Sequence, residues 1–211
     1  MSGVFITFEG IEGCGKSTQI ERLAKRLAKV GRSIVQLREP GGTDIGEAIR
    51  ETVKRPPGDA TISPETELLL MNASRAQLIQ QVIRPALAKG SVVLCDRFYD
   101  STLAYQGYGR GLDLAKVQNV IDLAVGDTKP NITLLLDIPL EVSAGRVAKR
   151  QRESNETSDQ FDRSGDLFFQ RVLDGFHALA KAEPQRFRTI NANQPPASVS
   201  DEIWNAVSDH F

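Results

Sequence analysis

The stretch Gly10-Ile11-Glu12-Gly13-Cys14-Gly15-Lys16-Ser17 constrains this chain more than any other. It has the P-loop spacing: a glycine, four residues, then Gly-Lys-Ser. Ahead of it, Val4-Phe5-Ile6-Thr7-Phe8-Glu9 is apolar and β-branched and reads as a buried strand. Behind it, over residues 18–30, Ile20, Leu23, Ala24, Leu27 and Ala28 recur at helical spacing. Strand, glycine loop and helix is the context in which the pattern has a mechanism. The backbone N–H groups of residues 10–18, Thr18 included, are then free to surround phosphate oxygens at the positive end of a helix. Lys16 is expected on the outer phosphates and the Ser17 hydroxyl on Mg²⁺. The bland alternative is a glycine turn with an accidental lysine, and the flanking strand and helix argue against it.

Composition mainly excludes. A chain of 211 residues is long enough for one domain with a sizeable core. Its formal net charge of -1, with 25% charged residues, gives no reason to expect a nucleic-acid or membrane surface. No apolar run approaches the length of a membrane span, and the chain enters a strand at once without a basic, then apolar leader. Cys14 and Cys95 form no metal-spaced pair and read as reduced thiols of a cytoplasmic protein. His177 and His210 sit in helical patterns without partner ligands.

Taken in order, the chain alternates strands with helices. Further strands are expected over 33–38, 91–95, 131–137 and 186–191. A short helix capped by Thr43 or Asp44 precedes a Pro-rich loop over 54–63. Pro64 suits the first turn of a long helix reaching about residue 89, with Glu65 and Glu67 at its positive end and Pro85 as a kink. Helical segments over 100–106 and 114–125 are separated by a flexible Gly107-Tyr108-Gly109-Arg110-Gly111. Pro139 opens another helix, residues 146–163 are polar and basic, and two helices over 165–182 and after Pro195-Pro196 complete the chain. Such alternation implies an α/β, doubly wound, five-stranded parallel sheet with helices on both faces. Ligands then belong at the carboxyl ends of the strands, where the P-loop, Glu39 and Asp96-Arg97 fall.

A P-loop alone says only that a nucleoside triphosphate binds. The Asn-Lys-x-Asp motif by which GTPase switches read guanine is absent, and Asp162-Arg163-Ser164-Gly165 follows a polar segment instead of a strand. What the chain carries instead is a set of arginines at strand ends and helix starts: Arg38, Arg75, Arg97 and Arg110. Several guanidinium groups on one crevice suit a second phosphorylated substrate, since arginine grips phosphate with two parallel hydrogen bonds. Taken singly, each is as readily a surface ion pair. The basic run Arg146, Lys149, Arg150, Arg152 is expected in a mobile lid over about 146–163, against the alternative of a solvated loop.

These pieces together resemble the bacterial thymidylate kinase family over essentially the whole length of the chain. The match is carried by Phe8-Glu9-Gly10 leading into the P-loop, Arg38-Glu39-Pro40-Gly41-Gly42-Thr43, Arg75, and Asp96-Arg97-Phe98. It continues through Ser101-Thr102-Leu103-Ala104-Tyr105-Gln106-Gly107, Gly109-Arg110-Gly111 and Lys129-Pro130-Asn131-Ile132-Thr133. The resemblance implies a single P-loop kinase domain over 1–211 that transfers the γ-phosphate of MgATP to dTMP for dTTP synthesis, and a homodimer. The runners-up are another nucleoside monophosphate or deoxynucleoside kinase and, from a different class, a nucleotide-gated switch.

The resemblance also implies roles. Lys16 and Ser17 match the ATP-phosphate and Mg²⁺ ligands, with Asp96 acting on the metal through water. Glu12 matches the acid near the transferring phosphates, and Arg97 the clamp on the dTMP phosphate. Arg75 is expected on a thymine carbonyl, Thr102 and Gln106 near the base edge, and Tyr105 beside C2′. Glu39, Pro40, Ser101 and, in the lid, Asp162 complete the expected substrate set. Arg146 resembles the arginine over adenine, with Asn191 beside it where aspartate is common. The P-loop holds no arginine, which resembles the subtype whose lid supplies the catalytic cation; Arg150 and Arg152 are the candidates. Two departures stand out. Met71 occupies a position where phenylalanine usually stacks on thymine, and Gln160 replaces a common lid arginine.

Overall fold

A computed structural model describes residues 3–154 and 165–211. Five strands, β1 (Val4–Glu9), β2 (Ile34–Arg38), β3 (Val92–Asp96), β4 (Ile132–Asp137) and β5 (Phe187–Asn191), form one all-parallel sheet in the order β2-β3-β1-β4-β5. The expected sheet is therefore present. β1 is central and buried along its whole length, because helices cover both faces of a parallel sheet. Its side chains alternate between two cores with the strand period of two. Val4, Ile6 and Phe8 join Leu23, Leu27, Phe176 and Ile203 on one side. Phe5 joins Leu78, Ile83, Phe98 and Ile121 on the other. The register sets Phe8 and Arg38 beside Asp96, so the carboxyl ends of β1, β2 and β3 finish level.

The helices explain where the chain turns. α1 (Lys16–Lys29) starts two residues earlier than the apolar spacing suggests, inside the P-loop motif. Gly15 makes this possible: at φ 95 it occupies the left-handed region that costs a side-chain-bearing residue free energy. α2 (Asp44–Lys54) is capped by the Thr43 hydroxyl, which accepts from the Gly46 N–H at 3.0 Å. α3 (Pro64–Leu78) is capped by Ser63 in the same way and runs through a π-helical turn, Ile79–Ile83, into α4 (Arg84–Ala88). The wide turn lies just ahead of Pro85, whose ring and missing N–H interrupt the regular ladder.

Glu67 lies in the first turn of α3, as expected, and its side chain is buried against Arg110. One expectation needs correction. The glycines at 107 and 109 are not a flexible joint. They lie buried in π-helical turns, Leu103–Gly109, that continue α5 (Tyr99–Thr102). A Cβ on Gly109 would sit 2.7 Å from the Phe168 ring, so glycine here serves close packing. Residues 146–154 complete a regular helix, α7 (Leu140–Ser154). The rest of the expected lid, with Gln160 and Asp162, lies outside the described residues. α6 (Leu114–Val125), α8 (Asp166–Ala182) and α9 (Pro196–Val207) complete the layers.

Candidate active site

At the carboxyl edge of the sheet the strand ends and the P-loop enclose a cavity of about 1000 Å³. Of the expected site residues, Glu12, Gly13, Gly15, Lys16, Ser17, Thr18, Glu39, Pro40, Met71, Arg75, Asp96, Arg97, Ser101, Thr102, Tyr105, Gln106, Arg146 and Arg150 all line it. Gly10, Ile11 and Cys14 form the buried back of the loop. Arg152 does not line the cavity: it is exposed and donates to the Ala148 carbonyl on its own helix at 3.1 Å. Asn191 is exposed as well, with its amide oxygen turned to the Asn193 N–H at 3.0 Å.

The Lys16 ammonium is buried and folded back over the loop, 3.1 Å from the Gly10 carbonyl and 3.3 Å from that of Ile11. Ser17 donates to Asp96 at 3.3 Å, while the other Asp96 oxygen is buried without a partner among the described residues. Two hard oxygen donors side by side suit Mg²⁺ held partly by phosphate oxygens. Arg97, at the end of β3, has φ 68, which for a residue with a side chain stores about 1–3 kcal/mol of strain. That backbone turns its guanidinium to the Gly10 carbonyl at 3.2 Å, the Ser101 hydroxyl at 3.1 Å and the Tyr105 hydroxyl at 3.1 Å. Burial works against its charge, yet Tyr105, Glu12, Asp96 and Glu9 outweigh that and hold it ionised more firmly than usual.

Glu12 is where the cations meet. Burial opposes its ionisation, but Arg97, Lys16 and Arg150 together hold its carboxyl below the ordinary range. Arg150 reaches it from α7 at 3.3 Å, and Arg146, one turn earlier on the same face, donates to the Gly13 and Ala192 carbonyls at 3.2 Å each. Across the cavity Arg75 and Glu39 form an ion pair at 2.7 Å with side chains only 3% and 4% exposed. Arg75 also donates to Asn72 at 2.9 Å and to the Phe98 carbonyl at 3.2 Å. Burial raises the Glu39 carboxyl despite this partner, and its second oxygen is unpaired among the described residues.

Three groups of residues escaped the sequence reading. Arg50 and Lys54 line the cavity from α2 and Arg55 from just past its end, although in sequence they look like a solvated helix end. Phe98 lines it beside Arg75. Glu9 is fully buried under the loop, accepting from the Phe98 N–H at 2.7 Å and the Ser101 hydroxyl at 2.5 Å. Burial first, and then the nearby Asp100, raise its carboxyl to about 8. An acid ending an otherwise apolar strand was the available signal for Glu9. Arg110 does not line the cavity and binds Glu67, whereas Arg38 lines it and pairs with Glu47 at 2.7 Å.

The description "Thymidylate kinase" belongs to the family whose sequence profile matches residues 8–203. The chain belongs to the thymidylate kinase family. It is 49% identical over 203 residues to the thymidylate kinase of Pseudomonas fluorescens SBW25, covering 96% of this chain and 94% of that protein. It is 47% identical over 211 residues to the thymidylate kinase of Geobacter sulfurreducens, covering 97% and 98%. Among solved structures, the thymidylate kinase of Ehrlichia chaffeensis superposes with a TM-score of 0.77 at 33% identity, over 98% of this chain and 99% of that one. Membership of the thymidylate kinase family agrees with a cavity lined by a P-loop and several arginines.

Proposed function

We propose that this chain, acting as one P-loop kinase domain, transfers the γ-phosphoryl group of ATP to dTMP and releases ADP and dTDP, the precursor of dTTP. The observation that carries the reading is the convergence of Lys16, Arg97 and Arg150, from three separate elements, on Glu12 within the P-loop. Phosphoryl transfer spreads negative charge over the moving group, so placed cations and alignment matter more than covalent chemistry. On this reading Lys16 exchanges its carbonyl partners for phosphate oxygens of the donor. Arg97, already turned by its backbone, takes the acceptor phosphate. That phosphate is ionised near neutral pH, so its oxygen attacks without a general base. Glu12 spaces the three cations while the site is empty and orders them around the transferring group. Arg75 donates to a carbonyl of the base, and Tyr105, held by Phe168 and Phe176 at 6.0 and 6.3 Å, closes the sugar side.

Ser17 and Asp96 are the residues that would hold Mg²⁺, with the donor phosphates completing its shell. The ion would neutralise phosphate charge. Arg146 lies against the β5 end, where the donor base would be covered. Ile45 and Leu69, 56% and 58% exposed on the adjoining helices α2 and α3, support a homodimer through that face. No helix among the described residues is long and apolar enough to cross a membrane, and the two free thiols suit a reducing cytoplasm.

The test is a panel of nucleoside monophosphates with ATP and Mg²⁺, following acceptor-dependent ADP. dTMP should be used well ahead of dCMP and the purine monophosphates. ADP release without an acceptor, or equal rates across the panel, would defeat the assignment. For the dimer, light scattering of Leu69→Glu should report half the wild-type mass.

A further inference from the structure

Gln106 is expected at the edge of the acceptor base, but a glutamine amide offers opposite chemistry at its two ends. One end donates and the other accepts, and the two are related by a simple flip. What decides the orientation lies behind it. The Gln106 amide nitrogen donates to Glu67 at 2.7 Å, and the Glu67 side chain is 1% exposed. A carboxylate only accepts, so it selects the NH₂ end. Both Glu67 oxygens in turn accept from Arg110, at 3.3 and 3.1 Å. Arg110 in turn rests on the Phe168 ring, 4.6 Å from its centroid. The amide oxygen of Gln106, on a residue that lines the cavity, makes no hydrogen bond among the described residues.

We propose that Glu67, fixed by Arg110, is a specificity-determining positioning residue: it turns the Gln106 amide so that an acceptor, not a donor, faces the base. The proposal rests on the thymidylate reading above. A thymine edge presents carbonyl oxygen and ring N–H, whereas cytosine presents an amino group and a bare ring nitrogen. Arg75, a donor, matches the first thymine group, and the Gln106 oxygen matches the second. Both positions repel cytosine, which meets donor against donor and acceptor against acceptor. Glu67 touches no substrate; it acts through Gln106. Its burial at the foot of α3 is what allows it to dictate the flip, because a hydrogen bond shielded from solvent is stronger than one in water.

The test is Glu67→Gln, nearly isosteric, which can donate to the Gln106 oxygen and allow the amide to flip. The readout is kcat and KM for dTMP, dUMP and dCMP. Uracil shares the relevant edge with thymine, so dTMP and dUMP should lose about 10- to 100-fold in kcat/KM, mainly through KM, while dCMP is unchanged or improved. The exchanged pair, Glu67→Gln with Gln106→Glu, restores an acceptor toward the base and should recover the preference. It also decides the matter if the single variant is too unstable to assay. An equal loss with all three acceptors, or undiminished selectivity in Glu67→Gln, overturns the role of Glu67. A wild-type enzyme that uses dCMP as well as dTMP instead overturns the acceptor assignment itself, and this inference with it.

Discussion

Replacing Arg75 with methionine should make the stability of this protein strongly pH-dependent. Arg75 and Glu39 are almost wholly buried and paired at 2.7 Å. Removing the guanidinium leaves a carboxylate without its counter-charge, which in buried pairs costs about 3–5 kcal/mol. The carboxyl can avoid part of that cost by taking up a proton. Its ordinary value is 4.5, and burial raises it even with Arg75 present. Protonating a group of that value at pH 7 costs about 3.4 kcal/mol, since one unit is worth about 1.36 kcal/mol. The two routes give similar figures, so a loss of about 3 kcal/mol is expected at pH 7. The sign follows from linkage. A carboxyl raised on folding is harmless below its unfolded value and destabilises progressively as pH rises toward its folded one. The Arg75→Met penalty should therefore be small at pH 4.5, grow by up to about 1.36 kcal/mol per unit, and level off above the new folded value. Urea unfolding of wild type and variant between pH 4.5 and 8.5 measures it. Adding Glu39→Gln should abolish the pH dependence and recover much of the loss. A penalty that is flat across this range, or a double variant as unstable at pH 8 as the single one, would refute the reasoning. Affinity for dTMP should fall in Arg75→Met more than affinity for ATP.

Lys16→Ala should reduce phosphoryl transfer to background while leaving the circular dichroism spectrum unchanged, because the ammonium's interactions are with loop carbonyls and not with the core. Arg150 and Arg152 should separate sharply. With both substrates saturating, Arg150→Ala should lower kcat by about 10³-fold, the low end for such arginines, with KM little changed. Arg152→Ala, exposed and bonded to its own helix, should stay within about twofold, since surface replacements of this kind are nearly neutral. Glu9 titrates near 8 in the folded state, so its favourable contribution is complete below its ordinary 4.5 and is lost as pH rises through 8. Glu9→Gln should flatten that decline, matching wild type or falling slightly below it at pH 6 and exceeding it at pH 9 in thermal unfolding.

The features that sequence alone determined are those whose physics is contiguous. The P-loop needs eight neighbouring residues, a strand before and a helix after, and all of them are read from one short window. The same holds for the buried strands, whose apolar runs reflect helices on both faces, and for Asp96-Arg97 at the end of β3. Tertiary structure alone decided which distant groups share a field. Glu12 meets Arg150, 138 residues away, and Arg75 meets Glu39, 36 residues away; neither pairing leaves a local trace. Arg150 and Arg152 are equivalent candidates in a lid whose secondary structure the sequence leaves open. Once α7 continues to Ser154, two residues apart means nearly opposite faces, and only Arg150 turns to the cavity. Gly107 and Gly109 misled for a related reason, because composition cannot distinguish a glycine that frees the backbone from one that makes room for Leu114 or Phe168. Glu67 is the helix-end charge that its position announces, but only α5 and its π turns bring Gln106 and Arg110 against it. Burial and partnership depend on what the rest of the chain brings alongside, and that is settled only when the layers pack.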